Sequence, residues 1–229
     1  MIRSPARREH PDVNQTVDVV LPCLDEVTAL PGVLAQLPPG YRAIVADNGS
    51  TDGSPEAAAA AGAMVVREPR RGYGSAVQAG LAVATADIVA VLDADGSLDP
   101  GALPAMVDLL TSTDADMVVG RRVPETRDAW PWHARAGNAL LAALLRQRGL
   151  PVHDIAPIRV TYRRRLQDLG VTHPASGYPL ELLLRAAAAR WQLREVNVGY
   201  RPRVGGRSKV SGSVRGTVRA VRDMAVVLR

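Results

Sequence analysis

The sequence of 229 residues has no phenylalanine, and its aromatic content is only 3%. An apolar core must therefore be built from Val, Leu, Ala and Ile, which a hydrophobic content of 47% makes possible. The single cysteine, Cys23, excludes an intramolecular disulfide and suits a reducing compartment. The length fits one large domain better than two small ones.

Long apolar runs are also missing, since none approaches the roughly 18 to 20 residues that a membrane-spanning helix needs. Residues 1–14 are polar and rich in arginine, with no apolar stretch that could act as a signal peptide. We expect a disordered leader over 1–14 and one domain over 15–229. These absences predict a cytoplasmic protein that is soluble or peripheral to the inner face of the cell membrane.

Lysine is almost absent, because Lys209 is the only one and the net charge of +5 comes from arginine. A mild positive balance favours phosphate-bearing ligands, anionic lipid or nucleic acid. The arginines are scattered, however, and no basic patch interleaved with aromatic residues is present, which argues against nucleic acid. The oligomeric state cannot be predicted from this pattern.

Short β-branched runs alternate with Ala/Leu-rich segments, which is typical of a mainly parallel sheet with helices on both faces. Strands are predicted at 16–21, 43–47, 63–66, 88–92, 116–119 and 195–200. Helices are predicted at 26–36, 57–61, 74–84, 100–111, 135–148 and 177–190, with a final amphipathic helix from about residue 213. No repeat or linker interrupts them, so the sequence predicts one α/β domain.

Acidic side chains follow three of the predicted strands, namely Asp25 with Glu26, Asp47, and Asp93 with Asp95. In such sheets ligands bind beyond the carboxyl ends of the strands, so we expect these carboxylates to line one crevice. Two carboxylates one residue apart, at the end of a buried strand, suit Mg²⁺ or Mn²⁺, which prefer oxygen ligands. The alternative for Asp93 and Asp95 is a turn that caps the next helix.

Four segments occur in order at these separations: Leu21–Glu26, Val45–Gly53, Arg71–Gly74 and Asp93–Asp95. In this combination the sequence resembles family 2 glycosyltransferases of the GT-A fold, in particular the polyprenyl-phosphate and dolichol-phosphate hexose synthases and their soluble bacterial relatives. The resemblance spans about residues 17–220 and implies a single nucleotide-diphospho-sugar transferase domain. Where many of these relatives continue the metal motif with glutamine, Ser97 stands here, so water would complete the coordination.

The resemblance implies a role for each matching residue. Asp93 and Asp95 would bind the metal, with Asp95 in more direct contact. For Gly72 and Gly74, close backbone approach to the nucleotide competes with an ordinary tight turn. The residues that would bind the donor are Pro22, Leu24, Glu26, Asp47, Gly72, Gly74, Asp93, Ala94, Arg121, Arg203, Ser208 and Lys209.

The second half matches the family less tightly. The segment from Asp154 to Arg159 resembles an Asp…Gly-Phe-Arg element in which Pro157 and Ile158 replace Gly-Phe. Residues 203–209 fit an Arg-x-x-Gly-x-Ser-Lys loop, which is suited to folding over a diphosphate as a lid. The candidate catalytic residues are Asp154, Glu181, Arg203 and Lys209.

The function implied is metal-dependent transfer of a hexosyl group from a nucleotide diphosphate sugar, with inversion, to a polyprenyl phosphate or a small soluble acceptor. A lipid phosphate needs no general base, whereas a hydroxyl acceptor would need Asp154 or Glu181. A sugar nucleotidyltransferase is the first alternative, although the Gly-rich loop expected after its first strand is missing. A non-catalytic nucleotide-sugar-binding relative is the second.

The final predicted helix carries an apolar stripe with arginines beside it. An interfacial helix on anionic lipid and a helix packed on the domain would both show this pattern, and packing is the commoner case. The stripe consists of Val214, Val218, Val221, Ala225 and Leu228, and the arginines are Arg215, Arg219 and Arg222.

Overall fold

A computed structural model describes residues 16–126, 128–155, 157–205 and 214–228. The predicted leader and the lid residues Arg207, Ser208 and Lys209 lie outside these ranges. The strands are β1 (Val17–Cys23), β2 (Tyr41–Asp47), β3 (Met64–Arg67), β4 (Ile88–Val91), β5 (Met117–Pro124), β6 (Ile158–Tyr162) and β7 (Leu193–Tyr200). The helices are α1 (Leu30–Ala35), α2 (Ser54–Ala60), α3 (Tyr73–Val83), α4 (Leu103–Ser112), α5 (Trp132–Gln147), α6 (Arg163–Asp168), α7 (Tyr178–Ala188) and α8 (Val214–Val227).

The seven strands form one sheet in the order β3-β2-β1-β4-β6-β5-β7. The pairs β1–β2, β2–β3, β1–β4 and β5–β7 are parallel, whereas β6 runs antiparallel to both β4 and β5. The sheet is therefore mixed but mainly parallel, which confirms the predicted fold class.

Strand β6 and helix α6 were not predicted from the sequence. In β6, Ile158, Val160 and Tyr162 alternate with Arg159 and Thr161, which is a strand pattern that the prediction overlooked in a segment of only five residues. The three arginines from Arg163 to Arg165 then open α6 without an apolar stripe. Helix α6 therefore lacks a local hydrophobic pattern, whereas β6 has one that is short.

Helix α1 begins at Leu30, four residues later than predicted. The backbone amide of Glu26 instead donates to Ser54 Oγ (2.9 Å), and that of Val27 donates to Asp52 Oδ2 (3.0 Å). Because these amides bond to the loop after β2, residues 26–29 form turns before the helix starts.

Helices cover both faces of the sheet. Ile88 and Ala90 of β4 belong to the core shared with α1 and α4, and Val89 and Val91 belong to the core shared with α3, α5 and α7. This alternation along a strand buried on both sides is what a parallel sheet between two helical layers requires. Tyr178 is one of the largest fully buried side chains.

Asp18 lies at the end of the sheet where β1 begins, and its carboxylate joins β1 to β2 and to the segment before β4. Its fully buried carboxylate accepts two hydrogen bonds from the guanidinium of Arg42 (both 2.7 Å) and one each from the backbone amides of Thr85 (2.7 Å) and Ala86 (2.9 Å). Burial raises the pKa of this carboxyl, but these bonds outweigh it and hold the pKa below its usual range.

Helix α8 packs with only part of the predicted stripe, since Leu228 contacts the core but Val218 and Val221 do not. Ala220 is buried and Met224 and Val227 contact the core, while Val218 and Val221 are each 62% exposed. The helix therefore both covers the domain and leaves an apolar edge outside. In the described part of the chain, no helix combines the length and apolar character needed to cross a membrane.

Candidate active site

The loops that follow β1, β2 and β4 meet at one edge of the sheet. Glu26 lies after β1, Asp47 ends β2, and Asp93 and Asp95 come directly after β4. Arg203 forms ion pairs with both Glu26 and Asp95, so the first and third of these loops are in contact. The acidic loops therefore lie together at the carboxyl ends of the parallel strands, where the sequence predicted a crevice.

Side-chain hydrogen bonds join the turn after β1 to the loop after β2. The backbone amide of Asp25 donates to Ser50 Oγ (2.9 Å), and Asp25 Oδ1 accepts from the backbone amide of Thr51 (2.9 Å). These bonds hold Asp25 in the left-handed region at a φ of 55°, which is unusual for a residue other than glycine. The strained turn places Pro22 and Leu24 beside this loop, with both side chains part-buried.

Asp47 shapes the loop that follows it. Its carboxylate accepts from the backbone amides of Gly49 (3.2 Å) and Ser50 (3.1 Å), and the residue is only 4% exposed. These contacts are those of an ordinary aspartate that caps a turn. A contact between Asp47 and a nucleoside stays a prediction.

Asn48 organises three segments, and sequence reasoning missed it. Its amide nitrogen donates to the carbonyls of Glu68 (3.0 Å) and Arg70 (2.8 Å), and its oxygen accepts from the backbone amide of Gly72 (2.6 Å). The turn residues Asn-Gly-Ser-Thr-Asp-Gly at 48–53 predict a loop after β2, but they do not predict these hydrogen bonds of Asn48. Asn48 thereby connects the end of β2 to the start of α3.

Gly72 and Gly74 have a different neighbour from the one predicted. A Cβ atom on Gly72 would lie 2.2 Å from the carbonyl oxygen of Pro174, and one on Gly74 would lie 2.0 Å from that of His173. The Ser75 amide also donates to the Pro174 carbonyl (2.8 Å). Both glycines therefore admit the backbone of residues 173–174 against α3, which is a reason for glycine at each position. Their approach to a nucleotide stays a prediction.

Asp93 and Asp95 form the acidic centre of the crevice, with the buried Ala94 between them. Burial raises the pKa of Asp93, and the negative charge of Asp95 raises it further. The positive charges of Arg159, Arg122 and Arg203 partly offset this rise. Asp95 Oδ1 accepts from the backbone amide of Ser97 (2.9 Å). Two carboxylates at this spacing suit a divalent cation that neutralises their charge.

The donor set fits a hard cation that also binds a diphosphate. Ser97 Oγ is buried and has no hydrogen-bond partner among the described residues, so the hydroxyl two residues after Asp95 is available as a further oxygen ligand. Within the described ranges no group of three or more His, Cys, Asp or Glu side chains could hold a metal. Phosphate and water oxygens would have to complete the coordination, as is usual for Mg²⁺.

Arg122, rather than Arg121, lies towards the acidic centre. Its guanidinium lies 3.9 Å from the ring centroid of Trp130 and bonds the carboxylate of Asp154 in a bidentate manner (2.8 and 2.7 Å). Arg122 is among the charges that lower the pKa of Asp93. The side chain of Arg121, the residue suggested by the sequence, is exposed.

The two carboxylates considered as general bases are both engaged. Asp154 is 1% exposed and pairs with Arg122. Glu181 accepts from the backbone amides of Thr172 (3.1 Å) and His173 (2.6 Å) and from Arg185 Nε (2.7 Å). Burial raises the pKa of Glu181, but these bonds outweigh it and the pKa is lowered. A lowered pKa makes Glu181 a poor proton acceptor near neutral pH.

Residues 201–205, called the strap below, lie against the loop that follows β4. The backbone amide of Arg201 donates to the Ser97 carbonyl (2.9 Å), and that of Val204 donates to the Asp95 carbonyl (3.2 Å). A Cβ atom on Gly96 would lie 2.6 Å from Val204 Cγ2, so glycine is needed for this contact. Ser208 and Lys209 lie outside the described residues, and their predicted roles stay predictions.

Arg159 is a buried cation of the site to which sequence reasoning gave no role. It is 2% exposed, and none of its guanidinium nitrogens has a hydrogen-bond partner among the described residues. Its charge lowers the pKa of Asp93 and of the neighbouring tyrosines, Tyr73 and Tyr178. The only sequence signal was an arginine in a segment of otherwise weak family match.

Comparison with known proteins gives a consistent result. The family described as Glycosyl transferase family 2 matches residues 18–170. An uncharacterised glycosyltransferase of Mycobacterium tuberculosis (strain ATCC 25618 / H37Rv) is 57% identical over 213 residues, which cover 93% of this chain and 97% of the relative. A dolichyl-phosphate hexose transferase of Haloferax volcanii is 34% identical over 82% of this chain and 83% of its own.

Among solved structures, glucosyl-3-phosphoglycerate synthase of Mycobacterium tuberculosis in complex with Mn²⁺, uridine diphosphate and glucosyl-3-phosphoglycerate is similar in fold. The TM-score is 0.74 at 27% sequence identity, covering 93% of this chain and 78% of that one. The same enzyme with Mn²⁺, UDP-glucose and glycerol 3-phosphate gives a TM-score of 0.73 at 26% identity, covering 93% and 79%.

Proposed function

Because the chain belongs to glycosyltransferase family 2, we propose that this glycosyltransferase moves a hexosyl group from a nucleotide diphosphate sugar to a small soluble acceptor, with inversion at the anomeric carbon. The observation that carries the proposal is the Asp93–Asp95 pair, which lies at the carboxyl end of β4 within reach of the Arg203 charge. The Mn²⁺ and UDP-sugar bound by the similar synthase support the same chemistry, and its phosphorylated acceptors support a small acceptor.

The roles of the residues follow from their positions. Asp93 and Asp95, with the hydroxyl of Ser97, would hold a divalent cation together with the donor diphosphate. When bound, such a cation supplies positive charge where the diphosphate departs. The guanidinium of Arg203 would donate hydrogen bonds to the diphosphate, because charge-assisted bonds from arginine to phosphate are strong and directional.

Asp154 and Glu181 are proposed as positioning residues. Asp154 fixes Arg122 against Trp130, and Glu181 fixes the backbone of residues 172–173, which lies against Gly74. Neither carboxylate is free to take a proton from an acceptor hydroxyl without breaking these bonds. The donor contacts of Pro22, Leu24, Glu26, Asp47 and Ala94 remain part of the proposal.

A thermal-shift panel tests the donor site first. We expect a rise in melting temperature with one of UDP, GDP, dTDP or CDP in the presence of Mn²⁺ or Mg²⁺, and none with chelator. A ligand at about 100 times its Kd adds about 2.7 kcal/mol to stability. Transfer from the matching nucleotide sugar to phosphorylated three-carbon acceptors is then assayed directly. A folded protein that no nucleotide stabilises, with or without metal, would contradict the proposal and favour a non-catalytic relative.

A second acceptor, a polyprenyl phosphate, is favoured by one observation. The exposed edge of α8 combines Val218 and Val221 with the exposed arginines Arg219 and Arg222, a pattern that suits an anionic lipid surface. The name of the Haloferax volcanii relative is compatible with this acceptor. On this alternative the enzyme is cytoplasmic and peripheral to the inner face of the membrane.

Flotation with vesicles separates the two acceptors. Binding to vesicles that contain phosphatidylglycerol, lost in the double variant Val218→Ser, Val221→Ser, would support the lipid acceptor. Val123→Ser is the matched control, because Val123 is also exposed but lies on β5. Equal flotation of the wild-type protein and the double variant would dismiss the lipid surface.

A further inference from the structure

Arg203 occupies the position of a cation between two loops of the site. Its Nη2 atom lies 3.3 Å from Asp95 Oδ2 and also forms an ion pair with Glu26 Oε1. Asp95 is one of the two carboxylates proposed to hold the metal. In this structure, therefore, a side chain of the protein itself provides part of the positive charge that the carboxylate would otherwise receive from a metal.

The backbone that follows Arg203 holds this part of the strap in place. The Val204 amide donates to the carbonyl of Asp95 itself, and a Cβ atom on Gly205 would lie 3.1 Å from Thr28 Cβ. The strap thus contacts the loop after β4 and the loop after β1 independently of the ion pairs. The backbone next to Arg203 is therefore held beside both loops by contacts other than the ion pairs of its side chain.

The guanidinium of Arg203 is only partly satisfied where it lies. The side chains of Arg203, Glu26 and Asp95 are 21%, 9% and 13% exposed, so all three charges are largely withdrawn from water. Arg203 Nε is buried and has no hydrogen-bond partner among the described residues. An unsatisfied buried donor is costly, and an anionic oxygen entering the site would relieve that cost.

We propose that Arg203 makes the site selective for a divalent cation carried by a nucleotide diphosphate over the free ion. A free cation must displace Arg203 from its ion pair with Asp95. The largely buried guanidinium then loses part of its charge compensation. A cation that arrives with a diphosphate brings anionic oxygens, with which the displaced guanidinium can pair. This inference rests on the proposed function, since it assumes that Asp93 and Asp95 hold the metal.

The test is the thermodynamic coupling between metal and nucleotide in the full chain. Mn²⁺ affinity is measured by electron paramagnetic resonance without nucleotide and with saturating UDP, or GDP if the thermal-shift panel selects it. The ratio of the two dissociation constants is the coupling factor. In the Arg203→Gln variant we expect free Mn²⁺ to bind about tenfold more tightly, a change of about 1.4 kcal/mol. The coupling factor should fall at least as much, because the nucleotide loses a guanidinium partner.

Arg201→Gln is the matched control, because Arg201 lies on the same strap but pairs with Glu125 and, at 3.8 Å, with Asp99. It should leave both Mn²⁺ affinities unchanged. If Arg203→Gln fails to fold, as judged by circular dichroism, Arg203→Lys gives the same comparison with a smaller expected change. Wild-type coupling that survives unchanged in the Arg203 variant, or wild-type protein without coupling, would overturn the inference. Wild-type protein that binds no Mn²⁺ under either condition would instead refute the proposed function.

Discussion

At the scale of single residues, most charges of the crevice are already paired within the protein. Arg122 pairs with Asp154, Arg203 pairs with Glu26 and Asp95, and both pairs are largely buried. Removing one partner from a buried pair is costly because the other charge is left without compensation. Substitutions in this site therefore affect stability as well as chemistry, and experiments must measure both.

Replacement of Asp95 by alanine tests the metal site. We expect turnover to fall about 100-fold or more, because a group that stabilises the departing diphosphate is lost. The measurement is initial-rate kinetics at saturating donor and Mn²⁺. Asp99→Ala is the control, since Asp99 lies four residues further on and caps the following 3₁₀ turn through the Gly101 amide. Near-normal turnover of the Asp95 variant would remove it from the site.

Replacement of Asp154 by alanine distinguishes a positioning carboxylate from a general base. The guanidinium of Arg122, only 14% exposed, would lose its bidentate partner. We expect the free energy of unfolding to fall by about 3–5 kcal/mol. Urea denaturation measures this change. Asp114→Ala is the control, because the Asp114–Arg194 pair is exposed and should contribute nothing measurable. Full stability of the Asp154 variant together with lost transfer would identify a chemical role.

At the scale of elements, the close approach of residues 173–174 to α3 is the most demanding contact near the site. Gly72 and Gly74 admit the carbonyls of Pro174 and His173, and Glu181 holds the amide of His173 from the other side. Helices α3 and α7 are thus joined by a short backbone segment. The tyrosines that begin these helices, Tyr73 and Tyr178, meet edge to face at 6.3 Å.

A Gly74→Ala variant should be destabilised. The added methyl would meet the His173 carbonyl at 2.0 Å, so backbone must move, at a cost of about 1–3 kcal/mol. Gly137→Ala is the matched control, since nothing lies within 4 Å of a Cβ there. Gly137 lies within α5, and alanine there should add about 0.5–1 kcal/mol. Thermal unfolding that ranks the two variants in the opposite order would show that the 173–174 segment yields easily.

Much of the fold could be predicted from the sequence, because six strands show apolar runs ended by turn residues. Strand β6 was missed although Ile158, Val160 and Tyr162 alternate with Arg159 and Thr161. The burial of Arg159 and Thr161 could not be predicted, because it depends on partners far along the chain. The same limit applies to the site. Acidic residues at strand ends predicted the crevice, whereas the pairing of Asp154 with Arg122 depends on contacts 32 residues apart.

At the scale of the whole molecule, acid should weaken the fold through carboxylates whose pKa values are lowered. Asp18 is fully buried, and its pKa lies below the usual value of about 3.9. A group with a depressed folded-state pKa stabilises the fold above its unfolded pKa, and this contribution is lost as the pH falls through the folded value. We therefore expect protonation of Asp18 at low pH to destabilise the end of the sheet at which β1 begins.

The Asp18→Asn variant tests this assignment. At pH 7 we expect the free energy of unfolding to fall by about 1–3 kcal/mol, because Arg42 and the amides of Thr85 and Ala86 lose a charged acceptor. The difference from wild type should shrink as the pH falls from 5 to 3. Urea denaturation at several pH values measures it. A difference that stays constant down to pH 3 would contradict the role of the Asp18 charge.

The position of β6 also determines the order in which the sheet can be completed. During synthesis β4 and β5 emerge well before Ile158, yet they are joined only through β6. Until then the nascent chain has the parallel unit β1–β4 with an unpaired edge on β4, and such edges invite pairing with other chains. The joining of β5 to this unit thus waits for a strand made about 70 residues after β4, which is the kind of non-local step that slows folding. A ribosome-bound chain halted before residue 158 would be a natural client for chaperones that cover exposed strand edges.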